Sequence, residues 1–125
     1  MSDPIADLII RIKNASLSNL KEVIMPFSNF KIAILNIFQK YGYIKSVDTK
    51  LVKEKKVIVV TLSDNKIMHI RRLSKPGQRL YVKSKEIPRP LRGMGLVVIS
   101  TPSGVISGAD ARKSNIGGEL ICEIW

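Results

Sequence analysis

The apolar positions of this chain fall into helical spacing near its start and into alternating or four-residue blocks further along. Ile5, Leu8, Ile9, Ile12 and Ala15 share one helical face, with Arg11, Lys13 and Asn14 at its edge or outside it. Asp3 stands at the capping position, Pro4 suits the first helical residue, and Asp7 lies where the helix dipole favours an anion. Residues 22–25 predict a short strand stopped by Pro26. A second helix is expected from Ser28, burying Phe30 or Ile34 together with Leu35 and Phe38, and capped at its C-terminal end by Gly42. Tyr43, Ile44 and Val47 open a strand, and residues 55–62 predict another with Val57 to Val60 as its apolar centre. The charged stretch 53–56 suits the hairpin turn between them.

Ser63, Asp64 and Asn65 form a polar break, so the chain is expected to divide into an α/β subdomain over residues 1–63 and a mainly β subdomain over 64–125. Strands are predicted over 67–73 and 79–82, joined by a Lys75-Pro-Gly77 turn. Pro88 and Pro90 limit residues 85–92 to at most one helical turn. A strong strand follows over 94–101, then a turn at 102–104, a short strand over 105–107 and a two-turn helix over 108–115. Residues 119–125 close as a strand in which Leu120, Cys122 and Ile124 alternate with Glu119, Ile121 and Glu123. The expected class is α+β.

Charge changes the picture more than composition does. The 125 residues carry 21 Lys and Arg against 10 Asp and Glu, a formal net charge of +11. Nine of the basic residues lie between Lys66 and Arg92, where Glu86 is the only acid, so this stretch holds +8 of the total. Such an excess repels itself unless a polyanion is bound, which makes nucleic acid the leading partner. The longest apolar runs hold four residues, too few to span a membrane. The opening Met-Ser-Asp-Pro has neither a signal-peptide nor a transit-peptide plan, and one Cys excludes an intrachain disulfide. A soluble protein working in a reducing compartment is expected.

Enzyme signatures fail on their own terms. Gly93-Met-Gly95 lacks a third glycine at Val98 and precedes a strand, and the Ser-x-x-Lys matches at Ser18 and Ser28 lack partner motifs. Asp3 and Asp7 are one turn apart, a spacing read as helix-start electrostatics before metal binding. A nuclease would need clustered carboxylates or a His pair, and a membrane-surface module a basic amphipathic helix. No cofactor, metal or small-molecule substrate is implied. Cys122 is assigned to the core. His69 reads as a half-buried strand residue or a phosphate contact, and Trp125 as a cap on the core or a stacking surface.

The basic stretch interleaves with Ile67, Ile70, Leu73, Leu80 and Val82, so one sheet face can be apolar and the other positive. Arg71, Lys75, Arg79 and Lys83, with Tyr81 at the edge, are candidate phosphate contacts. Aromatics make up 6% of the chain, which disfavours a stacking platform for single strands and favours recognition of folded, double-helical RNA by shape. Ser100-Thr-Pro-Ser-Gly104 is either a plain β-turn or a hydroxyl-bearing loop that reaches a shallow groove; spacing does not choose between them.

At this loop the chain resembles the family of small-subunit ribosomal protein number eight, in its bacterial or organellar form, which implies a ribosome in the cytoplasm or inside an organelle. The likeness runs through Asp3-Pro-Ile-Ala-Asp7 with Arg11, Ile12 and Asn14, through Met25-Pro26, and through Ser74-Lys-Pro-Gly77 with Arg79 and Tyr81. It is most specific in Gly93-Met-Gly95, Ser100-Thr101, Gly104-Val105, Ala111-Arg112 and Gly117-Gly-Glu119 with Cys122. The resemblance implies two packed subdomains and a structural, non-enzymatic role in the small ribosomal subunit. It also implies primary binding to a helix in the central domain of the small-subunit rRNA, with neighbouring ribosomal proteins as further partners and the protein's own mRNA as a possible regulatory one. Ser100, Thr101 and Gly104 match the family's RNA-reading loop, and Gly117, Gly118 and Glu119 its C-terminal motif. Pro102 replaces the family's second Ser, so Ser103 is expected to supply the substitute hydroxyl, and Glu123 stands where relatives often have an aromatic. Arg11 and Asn14 are assigned to a second RNA segment or a protein neighbour.

Overall fold

The computed structural model describes residues 3–64 and 67–125, which fall into two compact units, one running to Ile67 and one from Met68. Asn65 and Lys66, from the expected break and the basic run, lie outside the described residues. The class is α+β. The first unit runs α1 (Pro4–Leu17), β1 (Glu22–Pro26), α2 (Asn29–Lys40), β2 (Ile44–Val52) and β3 (Lys55–Leu62). Its antiparallel sheet has the order β1-β3-β2.

Local chemistry explains the helix limits. Asp3 accepts from the Ala6 N–H at 3.1 Å, and Ser28 from the Lys31 N–H at 3.3 Å. Gly42, at φ +84°, ends α2: the Tyr43 N–H reaches back to the Phe38 carbonyl at 2.9 Å. Asn19, at φ +56°, does the same for α1, with the Leu20 N–H on the Ala15 carbonyl. An amide side chain tolerates the left-handed region better than most, which makes this a stop signal without glycine. Lys53 and Glu54 both have positive φ, so β2 and β3 are joined by a two-residue corner between Val52 and Lys55.

Register places Met25 opposite Ile58 and Val23 opposite Val60. Met25, Ile58 and Val60 are fully buried, as are Leu8, Ile12, Ile34, Leu35 and Phe38 of the helices. Each such side chain contributes about 1.5–3 kcal/mol by leaving water. Ile34, with Phe30 only half-buried, therefore supplies the α2 core position that the sequence left between them. Lys31 is a departure from the expected pattern, being only 4% exposed. Its ammonium donates to Asp7 Oδ2 and to the Pro26 carbonyl, while Arg11 Nε donates to Asp7 Oδ1 at 2.8 Å and Arg11 Nη1 to the Ile24 carbonyl at 3.0 Å. One carboxylate thus ties α1, α2 and the edge of β1 together.

The second unit runs β4 (Ile70–Arg72), β5 (Tyr81–Val82), two 3-10 turns at Ser84–Glu86 and Pro90–Gly93, β6 (Leu96–Thr101), β7 (Gly104–Ser107), α3 (Gly108–Lys113) and β8 (Gly118–Ile124). Strand β8 is central, flanked by β6 on one side and by β4 and β5 in succession on the other. Expected strands shorten here. The one over 67–73 is regular only at Ile70–Arg72, and the one over 79–82 only at Tyr81–Val82. The alternation expected along β8 is also broken by a bulge: Ile99 pairs with Leu120 and Val98 with Cys122, leaving Ile121 unpaired against β6. Residues directly opposite share a face. Leu120 therefore joins Val97, Ile99, Ile87 and Ala111 in one core cluster, while Cys122 and Ile124 lie on the other face with Val98 and Leu96. Both faces of β8 are buried in consequence. Burial, with the adjacent Glu123 charge, pushes the Cys122 thiol up to about 12, so it stays protonated as a core residue.

Burial works to raise the Asp7 carboxyl, but the hydrogen bonds and charges of Lys31 and Arg11 outweigh it and hold the group below its ordinary 3.8. The stabilisation is complete above the unfolded value and is lost as pH falls through the lower folded one. Asp7→Ala leaves a buried ammonium unpaired and is expected to cost about 3 kcal/mol at pH 7. Lys31→Met, which leaves Asp7 paired with Arg11, should cost distinctly less. Urea unfolding at pH 7 and again near pH 3 measures both; equal costs for the two variants at pH 7 would contradict this account.

Candidate nucleic-acid interface

Two glycines position the site. A Cβ on Gly118 would stand 2.1 Å from the Ser100 carbonyl oxygen, and one on Gly117 2.3 Å from the Val82 carbonyl oxygen and 2.9 Å from the Lys83 Cα. Only residues without a Cβ let the start of β8 lie this close to both neighbours. The β6–β7 hairpin and the end of β5 thereby meet at one end of the sheet. Tyr81 pairs with Glu119, Glu119 with Ser100, and Ser100 with Val105, forming one row across four strands. Tyr81 is 68% exposed, and Arg79 Nη1 lies 3.7 Å from Glu119 Oε1.

The hairpin corner is Pro102-Ser103, between paired Thr101 and Gly104. Pro102 suits a first corner position, where its ring fixes φ and no N–H is required. The absent Ser and its N–H therefore leave the turn intact. Gly104 has φ +114°, which favours glycine. The Thr101 hydroxyl donates to the Gly104 carbonyl at 2.8 Å and accepts from the Ser103 N–H at 3.1 Å, so it braces the corner from within. Ser103 is exposed and Ser100 half-buried, and neither hydroxyl is hydrogen-bonded among the described residues.

The remaining candidates are distributed. Lys83 follows β5 beside Gly117, and its N–H donates to Glu86 Oε1 at 2.9 Å, which occupies the one acid of the basic run. Lys75 is exposed in a tight turn, its backbone exchanging two 2.9 Å bonds with Gln78. That turn hangs on Ser74, named above only within the Ser74-Lys-Pro-Gly77 likeness and given no structural role there: it is 2% exposed, its N–H donates to the Leu120 carbonyl and its hydroxyl accepts from the Leu80 N–H at 2.8 Å. A Ser directly before Lys-Pro-Gly was the available signal. Arg71 sits opposite Glu123, at the far end of β8 and on the other face from Ser100 and Glu119. It lies 3.6 Å from Glu123, whose carboxylate also meets His69 Nε2 at 2.8 Å. The His69 ring stacks on Trp125 at 3.9 Å. His69 and Trp125 are thus each other's partners, and Glu123 binds the imidazole. In the first unit, Arg11 is held by Asp7 and Ile24, and Asn14 is exposed on α1.

Among the described residues no group of three or more His, Cys, Asp or Glu is placed to hold a metal, and no helix is long and apolar enough to cross a membrane. The class so defined is a small, strongly basic α+β protein whose polar residues converge on a hairpin rather than on a catalytic group. The sequence profile of the family described as ribosomal protein S8 matches residues 3–125. Similar proteins include two named small ribosomal subunit protein uS8. The one from Ruthia magnifica is 44% identical, covering 100% of this chain and 98% of the relative; the one from Thermus aquaticus is 42% identical, covering 100% and 99%. The chain belongs to the ribosomal protein S8 family, a structural and non-enzymatic component of the ribosome.

Gly118→Ala drives a Cβ into backbone and is expected to cost about 3 kcal/mol. Gly77→Ala meets nothing within 4 Å and should change stability by less than about 0.5 kcal/mol. Urea midpoints of the two variants check this; similar midpoints would contradict the packing argument.

Proposed function

We propose that this protein is a structural constituent of the small ribosomal subunit on the cytoplasmic ribosome, and that it binds a helical region of the central domain of small-subunit rRNA as a primary, assembly-promoting step. The observation that carries the reading is the convergence of Ser100, Ser103, Gly104, Tyr81, Arg79 and Glu119 that Gly117 and Gly118 make possible. The +8 charge of residues 66–92 supports it, and so do the family and the relatives' names. Residues 64–125 are the RNA-binding subdomain in this reading.

The roles divide by chemistry. Ser100 and Ser103 offer hydroxyls to 2′-hydroxyl groups and shallow-groove base edges, which is what double-helical RNA exposes. Thr101, Gly104 and Gly118 hold the hairpin close against β8. Glu119 orients Arg79. An exposed ion pair of this kind is worth about 0–1 kcal/mol, so Arg79 exchanges it for a phosphate at little cost. Lys75, Lys83 and Arg71 neutralise further phosphates, and Tyr81 lays its ring on a sugar or base. Arg11 and Asn14 meet a second RNA segment or a neighbouring ribosomal protein. The same groove reading would serve a matching fold in the protein's own mRNA.

Filter binding to the native central-domain hairpin and to a base-shuffled hairpin tests the reading. The wild type should prefer the native hairpin by orders of magnitude at moderate salt. Ser100→Ala with Ser103→Ala removes two hydrogen bonds of about 1 kcal/mol each and should reduce that preference at least tenfold, with the shuffled hairpin bound as before. Equal losses on both RNAs would remove the groove-reading role. Arg79→Ala should weaken binding to both and flatten the slope of log K against log salt by about 0.7–0.9. An unchanged slope would take Arg79 off the phosphate list.

A further inference from the structure

The strongest feature that the hairpin site leaves unused lies at the C-terminal end of α3. Ser84, Lys85, Arg89, Arg112 and Asn115 line a surface cavity of about 300 Å³. Three of these five residues are cationic, and no carboxylate is among them. Nothing in the charge count along the sequence brings them together: Lys85 and Arg89 come from the proline-bound segment before β6, while Arg112 and Asn115 come from α3 and its end.

The backbone holds the cluster in place. Arg112 Nη1 lies 3.4 Å from both the Ile87 and the Pro88 carbonyls, which anchors its guanidinium beside the Arg89 segment. Pro88 and Pro90 flank Arg89, and Leu91, Arg92 and Gly93 follow with φ of 52°, 55° and 87°, an irregular path that turns the segment back toward β6. Ala111 and Ile87 are both buried in the core cluster, so the two walls of the cavity are joined through that cluster. Burial, and then the charge of Arg89, lower the Arg112 guanidinium from its ordinary value. Like charges held together this way are relieved by an anion.

We propose that this cavity is a second RNA contact, which seats a backbone phosphate between Lys85, Arg89 and Arg112, with Ser84 and Asn115 able to donate to its remaining oxygens. Guanidinium groups match phosphate geometry with paired donors, and Lys adds a mobile point charge. The contact recognises backbone and not sequence, so it adds affinity without discrimination. It rests on the reading of the protein as an rRNA binder, and it extends the bound RNA beyond the segment read by the hairpin.

The test uses the full chain with Lys85→Gln and Arg89→Gln combined, both at exposed positions, leaving the anchored Arg112 in place. Salt titrations are run on a central-domain RNA that extends beyond the hairpin, beside the native and shuffled hairpins. The wild-type preference for the native hairpin reports the proposed function independently, so loss of that reading is visible before the variant is considered. On the extended RNA the variant should flatten the salt slope by about 0.7–0.9, one phosphate contact's worth, and should keep the native-to-shuffled preference and the melting temperature. An unchanged slope overturns the proposal. If inorganic phosphate at matched ionic strength then raises the melting temperature of the wild type and not of the variant, the cavity takes the free ion. If it raises neither, an acidic protein neighbour is the remaining partner for this surface.

Discussion

Strand β8 is approached at its start by the backbones of both β5 and β6, and the hairpin site exists because Gly117 and Gly118 carry no Cβ. With any side chain there, the Ser100 and Val82 carbonyls would be displaced. The row Tyr81–Glu119–Ser100 would then come apart, because the row is a consequence of strand pairing across β8. The hydroxyls, the phenol and the guanidinium of this region have no covalent reason to be neighbours. Their proximity is a matter of interstrand distance, which glycine sets.

Charge is arranged around this geometry with opposite logic in the two units. In the first, Asp7, Arg11 and Lys31 are internally compensated and serve as a tie between two helices and a strand. In the second, positive charge is left in excess. Glu86 is turned to a backbone N–H, Glu119 and Glu123 make long pairs with exposed arginines, and Arg89 stands beside Arg112. A folded protein keeps such repulsion only where other terms exceed it, and the buried core on both faces of β8 supplies that excess. Any polyanion that binds the folded protein in preference to the unfolded chain would stabilise it by linkage.

Much of the fold was legible along the chain. The face Leu8, Ile12 and Ala15 and the strand Lys55–Leu62 follow from local apolar periodicity, the cap at Ser28 and the stop at Gly42 from hydrogen bonds within a few residues, and each stands as the pattern predicted. Pattern reading failed where a distant partner decides. The bulge at Ile121 moves Leu120 to the face opposite Cys122, although both are apolar and two residues apart. Lys31, a charged residue on a helix, is buried because Asp7 and the Pro26 carbonyl receive it.

The candidate site divides in the same way. Residue types, the excess of positive charge and the hydroxyl-bearing turn were determined by the sequence itself, because composition and turn chemistry are local properties. Which hydroxyl is available was decided by tertiary structure: Thr101 is consumed by its own turn, while Ser100 and Ser103 are not. Tertiary structure likewise separated Arg71 from Ser100, paired His69 with Trp125, and brought Arg112 beside Arg89 across 23 positions of sequence. Such choices depend on distances between segments remote along the chain, and those distances are set by strand register and packing rather than by residue type.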